Sequence, residues 1–135
     1  MRWAAGKQTQ SKTMDYQIVG MRQRFPQFKY FRQKGYWIGE LQPAFTSYEI
    51  KIDYRVGLVP KVYVLKPDIQ DDAPHIYRRA GKTLCLYYPY DGSWSSEKLI
   101  AHTIVPWTVE WLFYYESWCI TDRWFGPEAL HTGSK

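Results

Sequence analysis

The sequence predicts one α+β domain, in which an antiparallel meander lies between an N-terminal helix and C-terminal helices. Apolar residues first recur at helical spacing, then alternate with polar residues in short runs, and return to helical spacing near the end. The chain has 135 residues, which is enough for one core and too few for a two-domain enzyme. Aromatic residues make up 19% of the chain, so large rings are expected in the core and at interaction surfaces.

The first predicted element is a short amphipathic helix. Residues 1–13 are polar and predict a flexible tail, which leaves 14–135 as a single domain. Four apolar residues then follow at helical spacing, namely Met14, Ile18, Met21 and Phe25. Pro26 ends this pattern, so the helix is expected to stop before it.

Three short strands are predicted next. Residues 36–41 form the first, and residues 48–54 alternate apolar and charged side chains, as a half-buried strand does. Residues 61–66 form the third strand, which Pro67 ends. The brief connections between these strands are typical of an antiparallel meander.

The second half of the chain is less regular until its C-terminal helices. Residues 83–88 are predicted to be briefly extended. Ser96 is expected to cap a short helix that runs to about residue 103, and Pro106 is expected to interrupt the helical pattern. Thr108 is then the predicted cap of a second helix over 108–119.

Charge and hydropathy limit the classes of partner. The formal net charge is +5, which favours acidic partners, whereas nucleic acid is an unlikely ligand because the aromatic residues lie largely at core spacing. No apolar run is long enough to span a membrane, and the N-terminus lacks the apolar stretch of a secretion signal, so a cytoplasmic location is expected. Exposed tryptophans could form a docking surface or a homodimer contact, although a large aromatic core explains them equally well.

Cys85 is the best candidate for a reactive group. It lies in a segment rich in Gly, Pro and Tyr, but Leu84 and Leu86 flank it, so the alternative is a buried structural cysteine. Cys119 ends an aromatic helical pattern and is expected to pack. Three histidines could activate a thiol or carry a proton, namely His75, His102 and His131. Their spacing matches no zinc site, and no phosphate-binding glycine pattern is present, so neither a metal nor a cofactor is expected.

Glu116 is a candidate because of its place on the second helix. It shares a face with Val109, Leu112 and Phe113, and the opposite face is aromatic, so neither face is plainly exposed to solvent. A carboxylate among apolar residues needs a partner, and a histidine or an arginine is expected. A structural ion pair or a position at the rim of the domain is the alternative.

Several motifs together resemble those of ubiquitin-conjugating enzymes. Their active-site segment resembles three successive parts of this chain, namely Pro74-His75-Ile76-Tyr77, Gly81 and Leu84-Cys85-Leu86. Further stretches resemble small bacterial members of this family, found in operons of cyclic-oligonucleotide anti-phage signalling (CBASS): Trp37–Pro43, Leu84–Pro89, Pro106-Trp107, Glu110–Leu112, Tyr115–Trp118 and Trp124–Pro127. The resemblance implies the ubiquitin-conjugating-enzyme-like fold, with a four-strand antiparallel meander and flanking helices.

The resemblance also implies a reaction. Cys85 is expected to form a thioester with the C-terminus of a partner, a cyclic GMP-AMP synthase-like nucleotidyltransferase, and to pass that acyl group to a lysine amine. No adenylation motif is present, so a separate activating enzyme must act first unless the partner's terminus is already reactive. Eukaryotic relatives carry an asparagine two residues after the histidine, where this chain has Tyr77, and the chain contains no Asn at all.

Other groups must therefore stabilise the oxyanion and activate the nucleophile. The preferred assembly is Cys85 with Glu116, His102 and His131, and His75 is a further candidate. Backbone N–H groups near Cys85 and the hydroxyl of Tyr77 are alternatives. The missing Asn also supports a second hypothesis, a catalytically inactive scaffold of the same fold that binds the nucleotidyltransferase or a modifier protein.

Overall fold

A computed structural model describes residues 11–88 and 91–127 of the protein. Its helices are α1 (Met14–Arg24) and α2 (Ile104–Thr121), with short 3-10 turns at Arg78–Ala80 and Ile100–His102. Its strands are β1 (Lys29–Phe31), β2 (Tyr36–Leu41), β3 (Tyr48–Asp53), β4 (Lys61–Lys66), β5 (Ile76–Tyr77) and β6 (Thr83–Leu84). The predicted α+β class and the four-strand antiparallel meander with flanking helices are confirmed.

The main sheet has the order β1-β2-β3-β4, and every neighbouring pair is antiparallel. Alternate residues of β3 are buried, and these are Tyr48, Ile50 and Ile52. Gly39 of β2 lies under the ring of Phe28, where an added Cβ would come within 2.5 Å of that ring. Glycine at this position therefore lets the segment after α1 pack closely on the sheet.

The first helix agrees with the prediction. Thr13 precedes α1, and its hydroxyl accepts a hydrogen bond from the N–H of Tyr16, as an N-cap does. Met21 is fully buried at the predicted apolar face. Gln17 is also fully buried, and its amide donates to the carbonyl of Lys98 (3.0 Å) and accepts from the N–H of Ile100 (2.8 Å). This side chain joins α1 to the segment that leads into α2.

The predicted boundaries of the C-terminal helices are wrong. Only a 3-10 turn forms in the segment that Ser96 was expected to cap, and α2 begins at Ile104. Pro106 does not interrupt α2, because it lies in the first turn, where backbone N–H groups have no acceptor within the helix. Thr108 is not a cap: it is buried, and its hydroxyl donates to the carbonyl of Ile104 (2.7 Å).

Some predictions fall on residues 1–10, 89–90 and 128–135, which lie outside the described residues. The predicted flexible tail belongs largely to this group, and its described end is anchored, since the N–H of Lys12 donates to the carbonyl of Ser96 (2.7 Å). The single-domain boundary at residue 14 stays a prediction. Within the described ranges, neither helix is both long and apolar enough to cross a membrane.

We expect Gln17→Ala to lower the free energy of unfolding by about 2–4 kcal/mol, because it leaves the Lys98 carbonyl and the Ile100 N–H buried without their partner. Gln23→Ala is the matched control, since Gln23 is exposed on the same helix. Urea denaturation of both variants checks this prediction. Equal stability of the two variants would show that the Gln17 amide does not anchor α1.

Candidate active site

Cys85 lies directly after a short hairpin. Strands β5 and β6 pair antiparallel, with Ile76 opposite Leu84, and Gly81 makes the turn between them with φ +79°. The N–H of Cys85 donates to the carbonyl of His75 (2.9 Å), which extends the ladder by one step. The hairpin thereby fixes the backbone of the cysteine.

The same carbonyl joins the hairpin to α2. The indole N–H of Trp111, a buried residue of α2, donates to the carbonyl of His75 at 3.1 Å. His75 has φ +56°, a left-handed conformation that is uncommon for residues other than glycine. We attribute this conformation to the demands of two donors that approach one carbonyl oxygen from two different elements.

Tyr77 places its hydroxyl beside the thiol. The Tyr77 hydroxyl oxygen lies 3.1 Å from Sγ of Cys85. Burial raises the pKa of the Cys85 thiol to about 11, and the hydrogen bond with Tyr77 acts in the opposite direction. At neutral pH, the resting site therefore holds a protonated thiol.

A cavity of about 230 Å³ opens beside Cys85. One wall is a single face of α2, formed by Trp107, Glu110, Trp111 and Tyr114, which follow the i, i+3, i+4, i+7 spacing of a helix. The rest of the lining comes from the hairpin side and from the chain after α2, namely His75, Cys85, Leu86, Tyr87, Trp124 and Pro127. The described part of the lining is therefore largely aromatic and contains both Cys85 and one carboxylate, that of Glu110.

The chain after α2 folds back over this cavity. Asp122 ends the helix in the left-handed conformation, with φ +62°. The ring of Trp124 then lies 5.0 Å from His75, 5.5 Å from Trp111 and 5.9 Å from Tyr114, measured between ring centroids. At Gly126, an added Cβ would come within 2.5 Å of the Tyr114 ring, so glycine permits this close return.

The structure brings two of the predicted site residues together. Cys85 and His75 both line the cavity, whereas Glu116 and His102 do not. His102 is exposed at the end of the 3-10 turn before α2. His131 lies outside the described residues. The roles predicted for Glu116, His102 and His131 stay predictions.

Glu116 instead has partners at the start of β3 and in the loop that precedes it. Its carboxylate accepts hydrogen bonds from the Tyr48 hydroxyl (2.9 Å) and from the N–H of Thr46 (3.3 Å). The expected need for a partner is confirmed, and within the described ranges the partners are a tyrosine and a backbone N–H rather than a histidine or an arginine. Burial and the Glu116 carboxylate both raise the pKa of Tyr48, which keeps this hydroxyl protonated as a donor.

Cys119 differs from the prediction as well. It is exposed rather than packed, and its sulfur lies 3.5 Å from the Gln70 side-chain amide. The aromatic side chains on which the prediction for Cys119 was based lie on other faces of α2. The two cysteines thus form a contrast between a buried thiol and an exposed one.

Glu110, Trp111 and Trp124 are among the cavity residues that the sequence did not single out as site candidates. Glu110 and Trp111 follow Trp107 at helical spacing, so the correct start of α2 would have placed them on the face toward Cys85. Trp124 reaches the cavity because the chain reverses at Asp122. The sequence around Trp124 contains no pattern that predicts this reversal. The tryptophans expected to be exposed are half-buried; Trp94, for example, donates its indole N–H to the Thr103 hydroxyl (3.0 Å).

A family model described as "Type II CBASS E2 protein" matches residues 17–132. That range includes the hairpin, the whole of α2 and every lining residue of the cavity. No curated protein matches the sequence.

We expect Tyr77→Phe to raise the pKa of the Cys85 thiol further, because the hydroxyl stabilises the thiolate. Below pH 11 the rate of alkylation at Cys85 should fall roughly threefold to tenfold, as the loss of one hydrogen bond worth about 1 kcal/mol predicts. The measurement is the iodoacetamide reaction followed by mass spectrometry, in a Cys119→Ser background that leaves one thiol to react. An unchanged rate would contradict a role of Tyr77 at the thiolate.

Proposed function

Because the chain belongs to the family of type II CBASS E2 proteins, we propose that Cys85 carries an acyl group as a thioester and transfers it to a lysine amine in bacterial anti-phage defence. The α+β architecture is the ubiquitin-conjugating-enzyme-like fold. The observation that carries the proposal is the position of Cys85, held between a hairpin and α2 at the lining of a cavity. A structural cysteine would need no such opening.

The proposed donor is the C-terminus of a cyclic GMP-AMP synthase-like nucleotidyltransferase. Unless that terminus is already reactive, a separate activating protein first converts the carboxyl group and ATP into an acyl adenylate and pyrophosphate, and then presents the acyl group to Cys85. The Cys85 sulfur attacks the acyl carbonyl, the bond to the previous carrier breaks, and the thiol proton passes to a base. We place this cycle in the cytoplasm.

His75 is our choice for that base. Its ring lines the cavity with Cys85, and an imidazole accepts protons near neutral pH. A base is required because the raised pKa leaves almost no thiolate in the resting protein. Removing the proton as the sulfur attacks avoids a free thiolate in an apolar setting.

Tyr77 is our choice for the group that replaces the absent Asn. Its hydroxyl lies 3.1 Å from the sulfur to which the acyl carbonyl would be bonded, so the carbonyl oxygen would come within donor range. When the amine attacks, negative charge develops on that oxygen, and a hydroxyl donor in a water-poor cavity stabilises it. Tyr77 lies two residues after His75, which is the position of the asparagine in eukaryotic ubiquitin-conjugating enzymes.

The first experiment is the intact mass of the protein after co-expression with its genomic neighbours, under non-reducing conditions. Wild type should carry an added mass that a thiol reagent removes, Cys85→Ser should retain it as a more stable ester, and Cys85→Ala should carry none. Cys119→Ser is the matched control, since Cys119 is exposed and is not among the residues that line the cavity. Equal loss in the Cys85 and Cys119 variants would overturn the assignment.

The scaffold of the same fold is the second candidate, and one observation favours it. Cys85 is only 5% exposed, and its pKa of about 11 is that of an unactivated, buried thiol. A binding protein could keep such a cysteine for packing alone.

Alkylation separates the two candidates. In the Cys119→Ser background, an enzyme should react at Cys85 in the folded state, with a rate that rises about tenfold per pH unit below 11. The same protein in urea gives the rate of an unprotected thiol. Complete inertness of the folded protein, together with a stable complex with a genomic neighbour and no adduct, would favour the scaffold.

A further inference from the structure

The positive charge of the protein is concentrated in one segment. Residues 16–39 contain no aspartate or glutamate, and their five cations are Arg22, Arg24, Lys29, Arg32 and Lys34. The whole chain has a net charge of +5, so this segment accounts for all of it and the remainder is neutral. Charge gathered in this way attracts anions to one part of the surface. The acyl transfer proposed above makes no use of it.

A pocket of about 370 Å³ opens within this segment, where α1 meets β1 at the edge of the main sheet. We call it the basic pocket. Its described lining has an apolar part and a charged part, namely Ile18, Pro26, Phe28, Tyr30 and Trp37, and then Arg22, Lys29 and Arg32. Trp37 and Phe28 are almost completely buried and form the floor, whereas the three charged residues are exposed.

The three cations come from separate parts of the fold. Arg22 lies in the last turn of α1, Lys29 begins β1, and Arg32 follows β1 in the turn that leads to β2. Within residues 11–88 and 91–127 the only ion pair is that of Lys82 with Asp71, so no described carboxylate neutralises these three side chains. An anion in the basic pocket would therefore meet three positive charges at once.

The basic pocket favours a ligand that has both an anionic part and a flat apolar part. Arg22 and Arg32 supply two guanidinium groups, and each can donate two parallel hydrogen bonds to a phosphate. The half-buried Tyr30 ring lies 4.8 Å from that of Trp37, its partner across the two strands, so an aromatic wall stands beside the cations. A free phosphate or a single carboxylate side chain would occupy only the charged part of this volume, whereas a planar base also packs on the aromatic part.

We propose that the basic pocket binds a phosphate ester that carries a flat ring, and that a nucleoside monophosphate is the class of ligand it fits. The phosphate pairs with Arg22, Lys29 and Arg32, and the base packs against Tyr30. The proposal does not depend on the proposed acyl transfer, because the basic pocket and the cavity beside Cys85 have no described lining residue in common.

Isothermal titration calorimetry of the wild-type protein with three probes, at matched ionic strength, tests the class of ligand. The probes are AMP, ribose 5-phosphate, which lacks the base, and adenosine, which lacks the phosphate. AMP should bind about tenfold more tightly than either of the other two, since each of them loses one half of the contacts.

Variants test the location of the site. Arg22→Gln and Arg32→Gln should each weaken AMP binding about tenfold, because each removes a charge-assisted contact to the phosphate. The matched controls are Arg24→Gln, in the same helical turn as Arg22, and Lys34→Gln, in the same turn as Arg32. Both controls remove one positive charge from an exposed residue outside the described lining, so they should leave the affinity for AMP nearly unchanged.

Several outcomes would overturn the proposal. Absence of AMP binding in the millimolar range would exclude the site. Equal weakening by the lining and control variants would show diffuse attraction to a basic surface. Equal affinity for AMP and ribose 5-phosphate would show that the aromatic wall binds no ring. Tighter binding of a tetraglutamate peptide than of AMP would assign this surface to an acidic protein segment.

Discussion

The carbonyl oxygen of His75 accepts hydrogen bonds from the N–H of Cys85 and from the indole of Trp111. One donor follows the hairpin and the other belongs to α2, so this acceptor joins the segment that carries the thiol to the helix on the other side of the cavity. His75 adopts a left-handed backbone to present the oxygen in this way, so local strain at one residue is balanced by the packing of two elements.

Burial affects the three chemical states of Cys85 differently. A thiol and a thioester are both neutral, so an apolar cavity accepts either of them at little cost, whereas the thiolate is strongly disfavoured. In the proposed acyl transfer, burial would therefore not disfavour a thioester on Cys85, because that group is neutral. The proposed reaction would depend on the groups that move the proton, because the sulfur is not permanently ionised.

Periodicity made α1 and three of the sheet strands predictable, because each has a clear repeat along the chain. Strand β1 has three residues, too few to show alternation. In α2, Pro106 was read as a break, although a proline is compatible with a first helical turn. The residues around the cavity differ in the same way. Cys85 and His75 lie in one local motif and could be found from the sequence, whereas the partners of Glu116 and the position of Trp124 depend on contacts between distant segments.

The contrast between the two cysteines bears on how the protein ages. Peroxide oxidises thiolates to sulfenic acid far faster than it oxidises thiols, and access to solvent is also needed. Cys85, with 5% exposure and a pKa of about 11, meets neither condition, whereas Cys119 is exposed. Oxidative damage should therefore accumulate first at Cys119, which is not among the residues that line the cavity, while Cys85 stays reduced.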